Sequence, residues 1–597
     1  MDAGPSTPTD LRVQVEDIET AVHGMAPSAR GARRRTTVRL GELLVREGLL
    51  TVLRLEDALA AQKARGGRLG DVLVELGFVD ERELARVLAT QLGVDVVDLR
   101  SADLDPQVLA LLPEDVARDL HAIPIAVEDG RVVVAVSDPL DETLTDRCIE
   151  ALQRPVRLVI AARSDIDRAI GVAYRSTARI GDALRDFEAR MEEQRAALPT
   201  EPGDRIVVDE NAPVVQVVNL LLEQAVRDRA SDVHIEPQPD RVRVRVRTDG
   251  ALHEVLSLPL AVGPSLVSRI KVMADMNIVE RRRPQDGQMA VTAGGRELDV
   301  RVSTTGTVFG EKCVLRLLDR SRALLRLDQL GMPDDVAQRF SALVRSPHGM
   351  VVCAGPTGSG KTTTLYATMM EITSDEVNVT TIEDPVEYVF PSINQIQVNE
   401  QADITFASTL RSILRQDPDA ILVGEIRDVD TARIAVQAAL TGHFVMSSLH
   451  ATDAVAALHR FLDMGVEPFL VASSLIGVVG QRLVRKVCPH CVEPYTPDDE
   501  ERNYYVLGGG DVEFARFVRG VGCNFCGHTG YYDRVGVYEV LAMSATIKRL
   551  VAQDAPYEVV KEAAVAEGMR TLQQEAMRLV TEQVTTVAEV ARTVQAG

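Results

Sequence analysis

Gly355-Pro356-Thr357-Gly358-Ser359-Gly360-Lys361-Thr362 is the stretch of this chain whose residue types and spacing speak most directly of chemistry. Before it stands an apolar run, Met350-Val351-Val352-Cys353-Ala354, that reads as a buried strand; after it, Thr363 to Met370 reads as a helix. Strand, glycine-rich turn, Lys-Thr and helix together form the G-x-x-x-x-G-K-[ST] phosphate loop in its proper setting. The glycines let successive backbone N–H groups curl round a phosphate chain at the positive end of the helix. Lys361 would reach the β- and γ-phosphates, and the Thr362 hydroxyl would complete a Mg²⁺ shell. ATP-type nucleotide binding by residues Gly355 to Thr363 is therefore expected.

Phosphoryl transfer to water also needs a carboxylate to orient the nucleophile. A strand over Asn378–Ile382 ends in Glu383-Asp384-Pro385-Val386-Glu387, and another over Ala420–Val423 ends in Gly424-Glu425-Ile426-Arg427-Asp428. Acidic residues at the mouths of parallel strands are well placed for that task. Glu383 and Glu425 both qualify, and the sequence does not rank them. His443 and His450 stand on either side of a further strand, and Arg411 and Arg415 lie on a helix expected from Ser408 to Gln416.

Two further constellations stand apart. Cys488-Pro489-His490-Cys491 and Cys523-Asn524-Phe525-Cys526 are C-x-x-C knuckles. Four thiolates on two tight turns give a tetrahedral, closed and therefore structural Zn²⁺ site, with His490 and His528 as competitors for a ligand place. Cys148, Cys313 and Cys353 read as buried apolar fillers. Nearer the N-terminus the chain repeats itself: Arg39, Leu40, Gly41, Leu44, Gly48, Leu55, Leu59 and Gln62 recur as Arg68, Leu69, Gly70, Leu73, Gly77, Leu84, Leu88 and Gln91. Leucines at helical spacing are ordinary core. An arginine fork fits guanine O6 and N7, however, glycine lets a backbone approach a ring, and leucine packs on a ring face. This duplicated pattern resembles the N-terminal domain that binds cyclic di-GMP in some secretion and pilus ATPases. The resemblance implies that Arg39 and Arg68 hold the two guanines while the other members line the site.

Stepping outward, 597 residues are too many for one core, and roughly three to five domains are expected. A net charge of −22 argues against a nucleic-acid partner, which would ask for a basic face. No apolar run is long enough to span a bilayer, and the N-terminus carries no signal-peptide pattern. The paired cysteines suit a reducing compartment. A cytoplasmic protein that meets the membrane through partners is expected.

The elements that must position these residues divide the chain. Residues 1–35, ending in Arg33-Arg34-Arg35, read as a disordered arm, and 36–175 as a domain carrying the repeats and then a small α/β half without a visible site. Residues 176–207 read as a spacer. In 208–325 a helix is followed by a strand alternating Arg241, Arg243, Arg245 and Arg247 with valines, an unusual arginine face in so acidic a chain. Residues 326–597 hold the phosphate loop, a zinc knuckle over 486–530 and a helical tail over 541–597.

Taken in order, the phosphate loop, acidic box, Glu425 motif, histidine box and zinc knuckle resemble the type II secretion and type IV pilus assembly ATPase family. That resemblance implies an α/β multidomain chain: a RecA-like core, a PAS-like α+β domain before it, and a small helical/αβ domain at the N-terminus. It assigns Glu383 to water activation, Glu425 to the Mg²⁺ shell or to polarising that water, and His443 and His450 to sensing the γ-phosphate. Arg301 and Arg316 would neutralise phosphates from the preceding domain, and Arg411 and Arg415 would add phosphate or intersubunit contacts. Gly306 stands where the family usually has proline, so a looser turn is expected there. The family further implies a hexamer using ATP and Mg²⁺, an inner-membrane platform protein docked by the zinc knuckle, and the cytoplasmic domain of a membrane-anchored assembly subunit. Lys361-Thr362-Thr363-Thr364-Leu365-Tyr366 and Arg411 to Pro418 lean towards type II secretion, with pilus extension as the alternative. A cyclic di-GMP scaffold without turnover is the less favoured reading, against which Lys361, Glu383 and Glu425 speak together.

Overall fold

The computed structural model describes residues 39–102, 104–138, 142–174, 213–319, 325–513 and 515–594. The arm expected over 1–35 and the spacer over 176–207 lie outside them. The chain forms two compact units, Met1–Ile170 and Gly171–Gly597.

The first unit opens with the repeats, which become two helix pairs: α1 (Leu40–Arg46) with α2 (Val52–Arg65), and α3 (Leu69–Glu75) with α4 (Glu81–Leu92). Both short helices stop in the same way. The N–H of Gly48 bonds to Val45 O and that of Leu49 to Leu44 O; Gly77 and Phe78 repeat this on Val74 and Leu73. This Schellman closure puts Gly48 and Gly77 at φ +75° and +67°, where a side chain would be strained. Three strands follow, β1 (Ala122–Glu128), β2 (Arg131–Val136) and β3 (Val156–Ile160), with β2 antiparallel to β1 and parallel to β3. Arg82 on α4 forks onto the buried Asp165 at 2.7 and 2.9 Å, which fastens the helical half to the sheet half.

The second unit begins with helix Pro213–Arg227 over an antiparallel sheet of β4 (Asp232–Pro237), β5 (Arg241–Thr248), β6 (Ala251–Pro259), β7 (Gln285–Ala293), β8 (Arg296–Thr307) and β9 (Gly310–Asp319), in the order β6-β5-β4-β9-β8-β7. The sheet resolves the arginine face. Glu236, on the neighbouring strand, takes Arg243, Arg245 and Lys312 at 3.0, 2.8 and 3.0 Å. Asp232 takes Arg316 and Arg247 at 3.1 and 3.5 Å, and Glu254 takes Arg241 at 3.2 Å. The cations are thus matched by carboxylates across the ladder, which alternation along a single strand could not reveal. Gly306 is not in a loose turn: it lies within β8, where a Cβ would stand 3.1 Å from Arg281 O and 3.3 Å from Arg282 O. Close backbone approach, rather than turn freedom, asks for glycine here.

The remainder is built on β10 (Gly349–Ala354), β11 (Val379–Glu383), β12 (Asn394–Gln397), β13 (Ala420–Val423), β14 (Phe444–Leu449) and β15 (Leu475–Val487); a β16 (Val492–Pro494) and β17 (Val518–Gly520) ribbon; and β18 (Tyr531–Ala542). The main sheet runs β12-β11-β13-β14-β10-β15-β18, parallel up to β15 and antiparallel at β18. Strands β10, β13 and β14 are buried along their whole length. Helices cover both faces, as a continuous apolar run demands. The tail helices begin at Ala545 rather than Leu541, which still belongs to β18. They are tied back by Arg570 to Asp335 at 2.7 Å and by the buried Glu589, which takes Arg485 at 2.7 Å and Arg592 at 2.6 Å. The β5–β6 turn leans on the start of β18: Asp249 accepts the Asp533 N–H at 2.9 Å and pairs with Arg534 at 3.3 Å.

Candidate active site

Parallel strands deliver their C-terminal ends to one edge of a sheet, and ligands in open α/β sheets bind there. Reading along β11-β13-β14-β10, that edge presents Glu383, Gly424-Glu425, His450 and Gly355 side by side. Motifs scattered over about a hundred residues are therefore neighbours, within roughly three strand spacings of about 4.8 Å each.

The phosphate loop leads into helix Lys361–Ile372. Gly360 has φ +89°, and a Cβ on it would sit 2.8 Å from Gln481 Nε2. Lys361 Nζ donates to Gly355 O and Pro356 O at 2.9 and 3.0 Å. Its burial, against the pull of Cys353 and Glu425, holds its ammonium below the usual lysine range. Ser359 Oγ is buried and meets no hydrogen-bond partner among the described residues. A buried hydroxyl without a partner in a glycine-rich turn at a helix N-terminus is what a phosphate would complete, so the residues fit the nucleotide and its Mg²⁺, with Thr362 as the hydroxyl for the ion.

Glu425 takes Arg427 and lies 3.7 Å from His450 Nε2. Desolvation and then Lys361 depress the His450 imidazole pKa, against the pull of Glu425, so it is neutral near pH 7. Glu383 is 4% exposed. Its Oε1 accepts from Thr381 at 2.6 Å and Gln395 at 3.2 Å, and its Oε2 from the Tyr366 hydroxyl. A carboxylate offers about four acceptor positions, so Oε2 keeps one for a further donor. Tyr366, Thr381 and Gln395 carried no motif signal as partners of this carboxylate; only the burial of β11 and the phosphate-loop helix exposes them.

Arg301 reaches the same edge from β8, forking onto Glu387 at 2.8 and 3.2 Å. Arg316 is its cross-strand neighbour but is engaged by Asp232. His443 does not join the group. It precedes β14, and its backbone meets Gly349 at the start of β10, at the opposite edge of the sheet from Gly355. Its ring instead faces Ala438 O at 3.0 Å and Thr441 at 3.3 Å, so a shared phosphate-sensing role with His450 inside one chain is corrected by strand direction. Arg411 and Arg415 are exposed, and the helix carrying Arg411 runs Phe406–Ile413, leaving Arg415 beyond its end.

The four knuckle cysteines converge, all Sγ atoms lying within 4.8 Å of one another. Cys488–Cys523 and Cys491–Cys526 are each 3.9 Å apart and Cys523–Cys526 3.8 Å. Thiolates about 2.3 Å from a tetrahedral Zn²⁺ stand about 3.8 Å apart, so the donor set fits zinc. His490 packs edge-on against Phe525 instead. Cys148, Cys313 and Cys353 are buried.

In the repeats, several motif positions have packing roles. A Cβ on Gly41 would sit 2.7 Å from Leu55, and one on Gly70 3.1 Å from Leu84; Leu44 and Leu73 are fully buried. The equivalent pairs Gly41–Leu55 and Gly70–Leu84 therefore bring helices together as well as meeting any ring. Arg39 and Leu59 are exposed, Gln62 donates to Gly67 O at 3.0 Å, and Arg68 pairs with Asp138, a partner the repeat alone did not reveal.

A family model for "Type II/IV secretion system protein" matches residues 207–592. The chain belongs to that family. Two curated relatives align along nearly their whole lengths. Type IV pilus assembly ATPase PilB of Myxococcus xanthus is 39% identical, covering 92% of this chain and 98% of its own. Type II secretion system protein E of Xanthomonas campestris pv. campestris is 39% identical, covering 93% and 99%. A second model, the MshEN domain, matches residues 92–180, after the duplicated motif. A solved structure described as "Structure of MshE with cdg" is 39% identical over 23% of this chain and 99% of its own, with a TM-score of 0.22. This secretion-family chain is an ATP hydrolase of α/β fold with a RecA-like core. No described helix is long and apolar enough to cross a membrane.

Proposed function

We propose that the chain is a ring-forming, six-subunit ATPase that drives pseudopilus assembly for type II secretion at the cytoplasmic face of the inner membrane. The observation that supports it is the row Glu383, Glu425, His450 and Gly355 along one sheet edge, with Arg301 arriving there from another sheet. In this reading Gly355 to Thr363 and Lys361 hold the phosphates. Mg²⁺, when bound at Thr362, supplies charge neutralisation to the β- and γ-phosphates. Glu383 orients a water and takes its proton as the water oxygen bonds to the γ-phosphorus; the bond to the bridging oxygen breaks and ADP leaves with the electron pair. Glu425 would complete the Mg²⁺ shell or polarise that water, His450 senses the γ-phosphate, and Arg301, with Arg316 beside it, neutralises phosphate charge from the preceding domain. Loss of that phosphate lets one domain rock against the other, a displacement passed to a membrane platform protein docked at the zinc knuckle. The cytoplasmic domain of a membrane-anchored assembly subunit holds the ring in place, and Arg411 and Arg415 face a neighbouring subunit.

The domain over 36–175 takes cyclic di-GMP through its repeats, with Arg39 and Arg68 on the guanines. A second reading, type IV pilus extension, is favoured by the full-length likeness to the Myxococcus xanthus protein. A Glu425→Gln allele in the host separates the two. Secreted proteins missing from the medium with pili intact supports the secretion reading, and the reverse supports pilus extension.

A further inference from the structure

Between the phosphate loop and the acidic box lies a side chain that no motif assigns. Tyr366 stands on the phosphate-loop helix, five residues after Lys361, and is 1% exposed. Its hydroxyl donates to Glu383 Oε2 and accepts the backbone N–H of Glu387 at 3.2 Å. A phenol has a single proton to give. Because the Glu387 N–H points in as donor, that proton is committed to Glu383. Burial, followed by the Glu383 carboxylate, keeps the phenol protonated well above neutral pH. The ring is clamped edge-on by Phe390 at 5.2 Å and Tyr388 at 6.2 Å between centroids, so the hydroxyl has little freedom to wander. The Glu387 side chain, in turn, holds Arg301.

We infer that Tyr366 is a positioning residue for hydrolysis: its hydroxyl fixes the Glu383 carboxylate towards the attacking water and joins it to the loop that holds Arg301. The inference rests on the reading of Glu383 as the water-orienting group. The phosphate-loop helix that receives the nucleotide, the carboxylate that orients water and the loop gripped by the preceding domain share this one oxygen. A small shift of the helix on phosphate binding is thereby passed to the carboxylate without passing through solvent. Thr381 and Gln395 hold only Oε1, so Oε2 has no other fixed donor among the described residues.

The test uses the full-length, zinc-loaded protein and its Tyr366→Phe variant, which keeps the ring contacts with Phe390 and Tyr388. ATP-binding stoichiometry, KM and turnover per bound ATP are measured for both, beside Glu383→Gln. The expected result is full stoichiometry, KM within about twofold and turnover per bound ATP down about tenfold, as for loss of orientation rather than of binding. Wild-type turnover per bound ATP in Tyr366→Phe, with or without a lower stoichiometry, overturns the inference, because packing alone would then account for the residue. Glu383→Gln turning over at the wild-type rate overturns it together with the reading of Glu383. Glu383→Gln inactive beside an unaffected Tyr366→Phe overturns the role of Tyr366 alone.

Discussion

Glu387→Gln should make the protein bind ATP more tightly. Arg301 forks onto both oxygens of Glu387 at 2.8 and 3.2 Å, with the two side chains 28% and 32% exposed. If Arg301 is to serve a γ-phosphate it must leave that carboxylate, so the pair is a cost charged against binding. An exposed ion pair contributes about 0.2–1 kcal/mol, and a bidentate, part-buried fork belongs at the upper end. Removing the charge while keeping the shape therefore returns about 1 kcal/mol, or about a fivefold lower Kd. The backbone N–H of Glu387 to Tyr366 is untouched by the substitution, so the carboxylate of Glu383 keeps its donor. Calorimetric titration with a non-hydrolysable ATP analogue, at several salt concentrations, reads the effect, and the gain should shrink as salt screens the pair. An unchanged or weaker affinity would refute the latch and leave Arg301–Glu387 as a permanent structural tie.

In the arginine-faced sheet, burial works to raise the Glu236 carboxyl, but hydrogen bonds from Arg245 and Lys312 outweigh it and hold the group at about 2. Because the folded value lies below the ordinary one, its stabilisation is present above about pH 4.5 and lost as pH falls towards 2. Glu236→Gln should loosen β4 and β5 by about 2 kcal/mol at pH 7, with the gap to wild type narrowing in acid, as read by amide exchange. Zinc analysis should find one ion per chain, released by Cys526→Ser, with exchange rising around Cys488–Cys491 and Cys523–Gly530 and unchanged in the phosphate loop. His450→Ala should lower turnover by about tenfold or more, while His443→Ala, at the far edge of the sheet, should leave the assay of a single site's phosphate contacts unaltered.

The phosphate loop and the Glu425 strand were legible because each signal is complete within about ten residues, and the zinc site because each short C-x-x-C knuckle carries half of its donor set. β13 has the bounds read from its four apolar residues, Ala420 to Val423. What could not be read was set by strand order. His443 and His450 bracket one strand and look equivalent in sequence, yet a parallel strand sends its two ends to opposite edges of the sheet. The arginines of β5 looked unmatched because their carboxylates belong to the adjacent strands, Asp232 and Glu236 to β4 and Glu254 to β6. Tyr366 and Thr381 were hidden for a related reason: a hydroxyl acquires a partner such as Glu383 only once helix and strand have packed. In the repeats, Gly48 and Gly77 were read as part of a ligand pattern, whereas their positive φ first serves to end two helices.

Steady-state ATP hydrolysis by the full-length, zinc-loaded protein with Mg²⁺, beside Glu425→Gln and Lys361→Ala, tests the whole account most directly. Magnesium-dependent turnover that falls at least about a hundredfold in both variants, with Glu425→Gln still binding ATP, is the predicted result. Hydrolysis by Glu425→Gln at the wild-type rate, or a wild-type protein that binds ATP and never turns it over, would contradict it.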